Sequence, residues 1–299
     1  MKRILVTGGT GFIGQRVVAL LAQKYTVRLF TRKPYAGETC EVIVGDLLRE
    51  NDVKKAMQEI DCVVHLAAVL EGNEKEISYF NIHSTENIVF AAMKNKVKQF
   101  IFLSSENVLW EGQSAYGVSK KISEERVRQF QPHLILRCSV VYGQGTQKNI
   151  GLLINRIKQH RVIFIPGDGK KYLQPIFVDD VAQYIAQGIE FSITGTYTIA
   201  GRDAVTLDEF IGVASRVLSV KRTLIHVPLW LVHIVIFCLE QVMSYPYIKW
   251  SQIQNLNTNR TYDIKKTCSA LRHVPVSLQE GLKKTFLREN FYKQKIIEE

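Results

Sequence analysis

Tyr116 and Lys120 stand four residues apart in Tyr116-Gly117-Val118-Ser119-Lys120, and ten residues separate Tyr116 from the pair Ser104-Ser105. At that spacing the tyrosine and lysine share one face of a helix, one turn apart. An ammonium there favours the phenolate and draws the tyrosine hydroxyl down from about 10 toward a working pH. A tyrosine tuned this way passes a proton to or from a carbonyl or hydroxyl oxygen. Phe100-Ile101-Phe102-Leu103 reads as a strand ending at the two serines, where a serine can hydrogen-bond the same oxygen. Each piece also occurs in ordinary helices and turns, so the reading leans on a second motif.

That motif is Thr7-Gly8-Gly9-Thr10-Gly11-Phe12-Ile13-Gly14, which follows the apolar run Ile4-Leu5-Val6 and opens onto Gln15-Arg16-Val17-Val18. Strand, glycine turn and helix follow in that order, with Gly8, Gly11 and Gly14 at the spacing of a dinucleotide fingerprint. Gly8 permits the tight turn. Gly11 lets a pyrophosphate approach the backbone, and Gly14 lets the helix pack on the strand. The phosphates then meet free N–H groups at a helix N-terminus.

Together these motifs resemble the extended short-chain dehydrogenase/reductase superfamily, in its NAD-dependent epimerase/dehydratase branch. The likeness continues through Gly45-Asp46-Leu47, Val63-Val64-His65-Leu66-Ala67-Ala68, the segment around Asn81, Arg137 with Val141-Tyr142-Gly143, and Phe177-Val178-Asp179-Asp180-Val181-Ala182. The resemblance implies that Ser105, Tyr116 and Lys120 are catalytic, with Lys120 also on the nicotinamide ribose. It implies that the backbone N–H groups of Phe12 and Ile13 follow the pyrophosphate turn and that Asp46 and Leu47 touch adenine. Leu66, Ala67 and Ala68 would run beneath the cofactor, Asn81 would lie near the active site, and Val140 would lie near the nicotinamide. It implies a homodimer through helices at 77–95 and 116–130.

The elements that must position these residues alternate. Strands are predicted near 3–7, 26–31, 41–44, 61–65, 99–103 and 133–138, with helices near 12–23, 51–58, 77–95 and 116–130. That alternation predicts an α/β fold: a Rossmann-type doubly wound parallel sheet with a smaller C-terminal substrate-binding region. The dinucleotide-binding domain is expected over 1–165. A mainly substrate-binding region is expected over 166–299, with some elements returning to the sheet. The turn-rich Pro166-Gly167-Asp168-Gly169-Lys170-Lys171 marks the change of texture.

The second strand ends Phe30-Thr31-Arg32-Lys33 with no acid to hold a ribose 2′-hydroxyl. Arg32 can instead clamp a 2′-phosphate, which makes NADP the preferred cofactor and NAD the other. A solvated Arg32, or one stacked on adenine, remains open. The implied activity is that of an epimerase or reductase acting on a nucleotide-sugar-like substrate. The alternatives are NADPH-dependent reduction of a flavonol- or steroid-like ketone and a non-catalytic regulator, against which the intact Ser–Tyr–Lys set argues. The loop between Ser105 and Tyr116 is shorter than in sugar-nucleotide epimerases. It brings Trp110 near the site, to stack on a substrate or to cap the core, while Glu106 and Glu111 read as solvated, with an acid or base role as in the dehydratase members as the alternative. Arg156, Arg161, Lys170, Lys171, Arg202 and Arg260 are candidate substrate cations, each singly read as a surface charge.

The chain has 299 residues, 46% hydrophobic and 22% charged, as a globular enzyme should. Its five cysteines are scattered and suggest neither a disulfide framework nor a zinc site; Cys62 and Cys138 read as core residues. A net charge of +11 comes without a nucleic-acid motif, so no nucleic-acid partner is expected. A strand at the very start leaves no leader in view, and the expected location is cytoplasmic. The apolar run 229–239, bounded by Pro228 and Glu240, is too short to span a bilayer. It reads as a buried helix or dimer interface, with weak membrane-surface contact as the alternative; His226 and His233 there read as packing or surface residues.

Overall fold

The computed structural model describes residues 1–35, 40–70, 72–110, 114–146, 150–242, 253 and 257–287. Contacts divide the chain into two compact units: residues 1–139, 178–199 and 264–274 form the first, and 140–177, 200–263 and 275–299 the second. The first stretch of the first unit ends at Ser139, ahead of the textural change near 166. The strand before it ends at Cys138 and the apolar Val140 and Val141 follow in sequence, so hydrophobicity carries no break at the boundary.

The first unit contains β1 (Arg3–Thr7), α1 (Phe12–Leu21), β2 (Thr26–Thr31), β3 (Glu41–Val44), α2 (Glu50–Ala56), β4 (Cys62–His65), α3 (Glu74–Lys94), β5 (Gln99–Ser105), α4 (Ala115–Arg128) and β6 (His133–Cys138). Before the return of later chain come β7 (Val141–Tyr142), α5 (Ile150–Gln159), β8 (Val162–Pro166), β9 (Tyr172–Leu173) and β10 (Ile176–Phe177), all in the second unit. Then α6 (Val178–Glu190) and β11 (Gly195–Ile199) rejoin the first unit. The second unit resumes with β12 (Val205–Thr206), α7 (Leu207–Val217), β13 (Thr223–Val227) and α8 (Leu229–Val242), and α9 (Lys265–Ala270) belongs again to the first.

The main sheet has seven strands in the order β11-β6-β5-β4-β1-β2-β3. Every neighbouring pair is parallel. Strands covered by helices on both faces read as unbroken apolar runs, and β4 and β5 are buried at every position. The order reverses between β1 and β4. Loops leaving adjacent strands on opposite sides of such a switch point open a crevice at the carboxyl ends of the strands, the usual ligand site in open α/β sheets. Leu5, Val63, Ile88, Phe100, Phe102 and Ile135 are fully buried members of the core beneath it.

Candidate active site

The glycine turn is built by contact as well as by backbone freedom. Gly8 has φ +71°, and a Cβ there would lie 2.6 Å from the Ala67 backbone nitrogen. Gly14 packs so close to Gly8 O that a side chain has no room. Gly9, outside the fingerprint spacing, is equally constrained, because a Cβ would strike Leu29 Cδ1. Nothing local in the sequence marks Gly9, since the residue that excludes its side chain lies on β2. Gly11 is different: a Cβ there meets only Gly8 O, at 3.3 Å. Its N–H donates to Gly8 O (3.1 Å), and it is the N-cap of α1 with no side-chain cap and no acid in the first turn. The first N–H groups of α1, including those of Phe12 and Ile13, are thus left for an anion.

The segment after β4 lies against this turn. Leu66 N donates to Thr7 O (3.1 Å) and Ala67 N to Thr7 Oγ1 (3.4 Å). Ala68 continues from there, and Val69 exchanges two bonds with the Asn81 amide, Val69 N to Oδ1 at 2.8 Å and Nδ2 to Val69 O at 3.0 Å. Asn81 Nδ2 also donates to Ser119 Oγ (3.0 Å), whose hydroxyl donates to Tyr116 O (2.8 Å). Asn81 therefore joins the loop beside the glycine turn to the helix that carries Tyr116.

A buried chain of side chains leads to the same place. Thr7 Oγ1 lies 2.6 Å from His65 Nδ1, His65 Nε2 lies 3.2 Å from Thr85 Oγ1, and Thr85 Oγ1 donates to Asn81 O at 2.7 Å. With the Thr85 hydrogen committed to Asn81, His65 must donate through Nε2–H and accept from Thr7 at Nδ1. Burial, with the Lys120 charge, pushes His65 down to about 3, so the ring is neutral. Sequence reading passed over His65 because one histidine in an apolar strand leaves no pattern.

Tyr116 and Lys120 lie on α4, whose N-cap Ser114 accepts from Gly117 N (3.3 Å). Lys120 is buried, and its ammonium donates to Leu103 O (2.8 Å) with Nζ 4.4 Å from the Phe102 ring centroid. Burial pushes Lys120 down to about 7, with Glu124 pulling the other way. Nζ is 6.0 Å from the Tyr116 ring centroid. Tyr116 keeps part of its surface exposed, yet burial around its hydroxyl and the nearby Cys138 push that group up. The expected fall in the tyrosine is therefore absent from this arrangement: the lysine donates to Leu103 O on β5, and the loss of water around the phenol dominates.

Ser105, at the end of β5, accepts from Asn107 N (3.2 Å) and caps a single helical turn over 106–109. Glu106 in that turn is 7% exposed, which corrects the solvated reading; the turn folds inward instead of out as a loop. Trp110, at the end of the turn, is half-buried, and Glu111 lies outside the described residues. Ser104 donates to Glu124 Oε1 (2.7 Å), and Arg137 grips the same carboxylate through Nε (2.9 Å) and Nη2 (2.7 Å). These bonds fix the end of β5 against α4 and β6.

The remaining positions are spread more widely. Arg32 is exposed, its guanidinium 5.6 Å from the Phe80 ring centroid. Asp46 is held in its own turn, with Leu48 N donating to Oδ1 (3.0 Å), while Leu47 is buried and its carbonyl accepts from Asn87 Nδ2 (2.9 Å). Val140 opens the second unit, where its carbonyl accepts from Ile176 N (2.9 Å). All six candidate substrate cations belong to that unit.

Residues 4–200 match the model of the NAD dependent epimerase/dehydratase family. The chain is 24% identical to a 3beta-hydroxysteroid-dehydrogenase/decarboxylase isoform of Arabidopsis thaliana, over 94% of this chain and 78% of that one. It is 21% identical to the N-acetyl-alpha-D-glucosaminyl-diphospho-ditrans,octacis-undecaprenol 4-epimerase of Escherichia coli O157:H7, over 98% and 96%. The crystal structure of a UDP-glucuronic acid 4-epimerase from Bacillus cereus in complex with NAD shares the fold, with TM-score 0.75, 22% identity and 95% of each chain covered. The chain therefore belongs to the NAD dependent epimerase/dehydratase family and is an enzyme of the oxidoreductase or isomerase type.

Proposed function

We propose that the chain moves a hydride between a nicotinamide dinucleotide and a carbonyl carbon of a nucleotide-sugar-like substrate. The observation that carries this reading is the arrangement in the first unit. An uncapped glycine turn at the start of α1 is joined through Thr7, His65 and Asn81 to the helix bearing Tyr116 and Lys120. The residues fit such a cofactor: Gly11 leaves backbone open to a pyrophosphate, and Leu66 and Ala67, with Ala68 next in the chain, lie directly beside the turn. The bound dinucleotide supplies or accepts the hydride. Ser105 holds the substrate oxygen, Tyr116 passes the proton to or from it, and Lys120 keeps a positive charge beside Tyr116 and binds the ribose.

The absence of an acid after β2 and the exposed Arg32 favour NADP over NAD. A second reading, reduction or dehydrogenation of a steroid-like ketone, is supported by the likeness to the Arabidopsis enzyme. Mass analysis of small molecules released from the purified protein separates the modes: a tightly retained dinucleotide supports an epimerase, and an empty, freely exchanging site supports a reductase. A homodimer through α3 and α4 is supported by the exposed Tyr79, Phe90, Met93 and Val118 on those helices. The buried thiols of Cys62 and Cys138 suit a reducing cytoplasm.

Tyr116→Phe tests the chemistry. Cofactor affinity should hold while turnover falls by about 100-fold or more, because the proton transfer is lost. Unchanged turnover removes Tyr116 from the mechanism.

A further inference from the structure

Helix α8 is apolar and has almost no interior to fill. From 229 to 239 it has no Asp, Glu, Lys or Arg, and its ionisable residues are His233 and Cys238. Trp230, Ile234 and Phe237 are 67%, 50% and 56% exposed, and their spacing of four and three residues puts them on one stripe. Leu231 and Val235 are exposed beside them, and among the described side chains of α8 only Ile236 is buried. The expectation of a buried helix is thereby overturned for this chain.

The strand pair leading into the helix repeats the pattern. On β8, Ile163 and Ile165 are buried while Phe164 is 60% exposed, and its register partner Ile225 on β13 is exposed too. Gly167 N donates to Val227 O (2.9 Å), which ties the turn bearing exposed Lys170 to the junction of β13 and α8. The second unit, which holds all of these residues, carries 17 Lys and Arg against 10 Asp and Glu.

A helix in contact with water normally turns polar residues outward, and apolar surface of this extent marks an interaction site. With 14 residues α8 is about 21 Å long, short of the roughly 30 Å hydrocarbon core of a bilayer. No described helix is long and apolar enough to cross a membrane. Bulky apolar side chains on a unit with an excess of cations, Lys170 among them near the start of α8, fit an anionic lipid surface, with the helix lying in the interfacial plane. A second copy would offer the same apolar stripe but would bring like charge against like.

We infer that α8 and the Phe164–Ile225 face dock this protein on an anionic lipid bilayer surface without spanning it. The inference is independent of the hydride-transfer reading.

Co-sedimentation of the full chain with vesicles tests it, using phosphatidylglycerol mixed with phosphatidylcholine against phosphatidylcholine alone. The wild type should partition onto the anionic vesicles and lose much of that binding in high salt. Trp230→Ser with Phe237→Ser should lower partitioning by about ten-fold or more with an unchanged circular dichroism spectrum. Lys170→Glu with Lys171→Glu should weaken binding to anionic vesicles alone. If the double serine variant misfolds, Trp230→Phe keeps the apolar bulk. It should retain partitioning while losing the quenching by brominated acyl chains that the wild type shows. Wild-type protein that stays in the supernatant with both vesicle types overturns the inference, as does equal partitioning by a folded double serine variant. So does vesicle-free self-association that the serine substitutions abolish, which would assign the face to a second copy.

Discussion

Lys120 has an ammonium whose neighbours are a carbonyl, an aromatic face and little water, and burial brings it down to about 7. Its proton is therefore only partly held at neutral pH. A bound anionic dinucleotide adds negative charge and raises it again. Cofactor binding should then take up protons above about pH 7. Calorimetry in buffers of different ionisation enthalpy should detect this uptake in the wild type and lose it in Lys120→Met; equal proton linkage in both would exclude the lysine as its source. Arg32 invites a simpler comparison. If its guanidinium clamps a 2′-phosphate, Arg32→Ala should weaken NADPH by about ten- to a hundred-fold and NADH little, since a charge-assisted bond is worth roughly 1.5–3 kcal/mol. A parallel loss for both cofactors would mean stacking on adenine and put NAD first.

At the scale of elements, Glu124 holds three of them together. Its buried carboxylate accepts from Ser104 on β5 and Arg137 on β6, and Arg128, one turn along α4, adds a bond at 2.7 Å. Burial pushes the Glu124 carboxyl up, but the hydrogen bonds from Arg137 and Ser104 and the charges of Arg137 and Arg128 outweigh it and keep Glu124 below the usual carboxylate range. Arg137→Met would strand that charge and should cost about 3 kcal/mol or more in denaturant unfolding. A loss under about 1 kcal/mol would show that Arg128 and Ser104 suffice. The first unit was legible because strands covered on both faces leave continuous apolar runs, as in Phe100-Ile101-Phe102-Leu103, and glycines and serines punctuate them. The two-residue strands β7, β9, β10 and β12 were not, since two residues carry no period. Glu106 was misread because burial of a turn depends on what packs over it, and Gly9 was missed because its constraint comes from Leu29.

For the whole molecule, the chain leaves the first unit after Ser139 and returns for 178–199 and 264–274, so that unit is assembled from three stretches of sequence. A ligand bound by its glycine turn should stabilise a structure closed only when all three are in place. At about 100 times its dissociation constant, the cofactor should add about 2.7 kcal/mol, read as a rise in melting temperature. Gly11→Val should remove that rise while the unliganded protein stays folded, because a Cβ there meets only Gly8 O, at 3.3 Å, a contact that a shift of a few tenths of an ångström relieves. An undiminished rise in this variant would place the pyrophosphate elsewhere.

The bonds from Thr7 through His65 and Thr85 to Asn81 all point one way. Such a chain has a single proton arrangement, so the ring at its centre behaves as a polarised rod with an accepting end and a donating end. A second proton on His65 would set two donors head to head against Thr7. Because the folded ring titrates near 3 and an unfolded histidine near 6.5, the unfolded state binds more protons between those values. Stability should therefore drain away as pH falls across that window. A glutamine amide can accept at one end and donate at the other without titrating, whereas a phenyl ring can do neither. His65→Gln should remove this share of the acid sensitivity, and His65→Phe should cost more at neutral pH by leaving the Thr7 hydroxyl without an acceptor. Parallel stability–pH curves for wild type and His65→Gln would show that this rod never feels the proton.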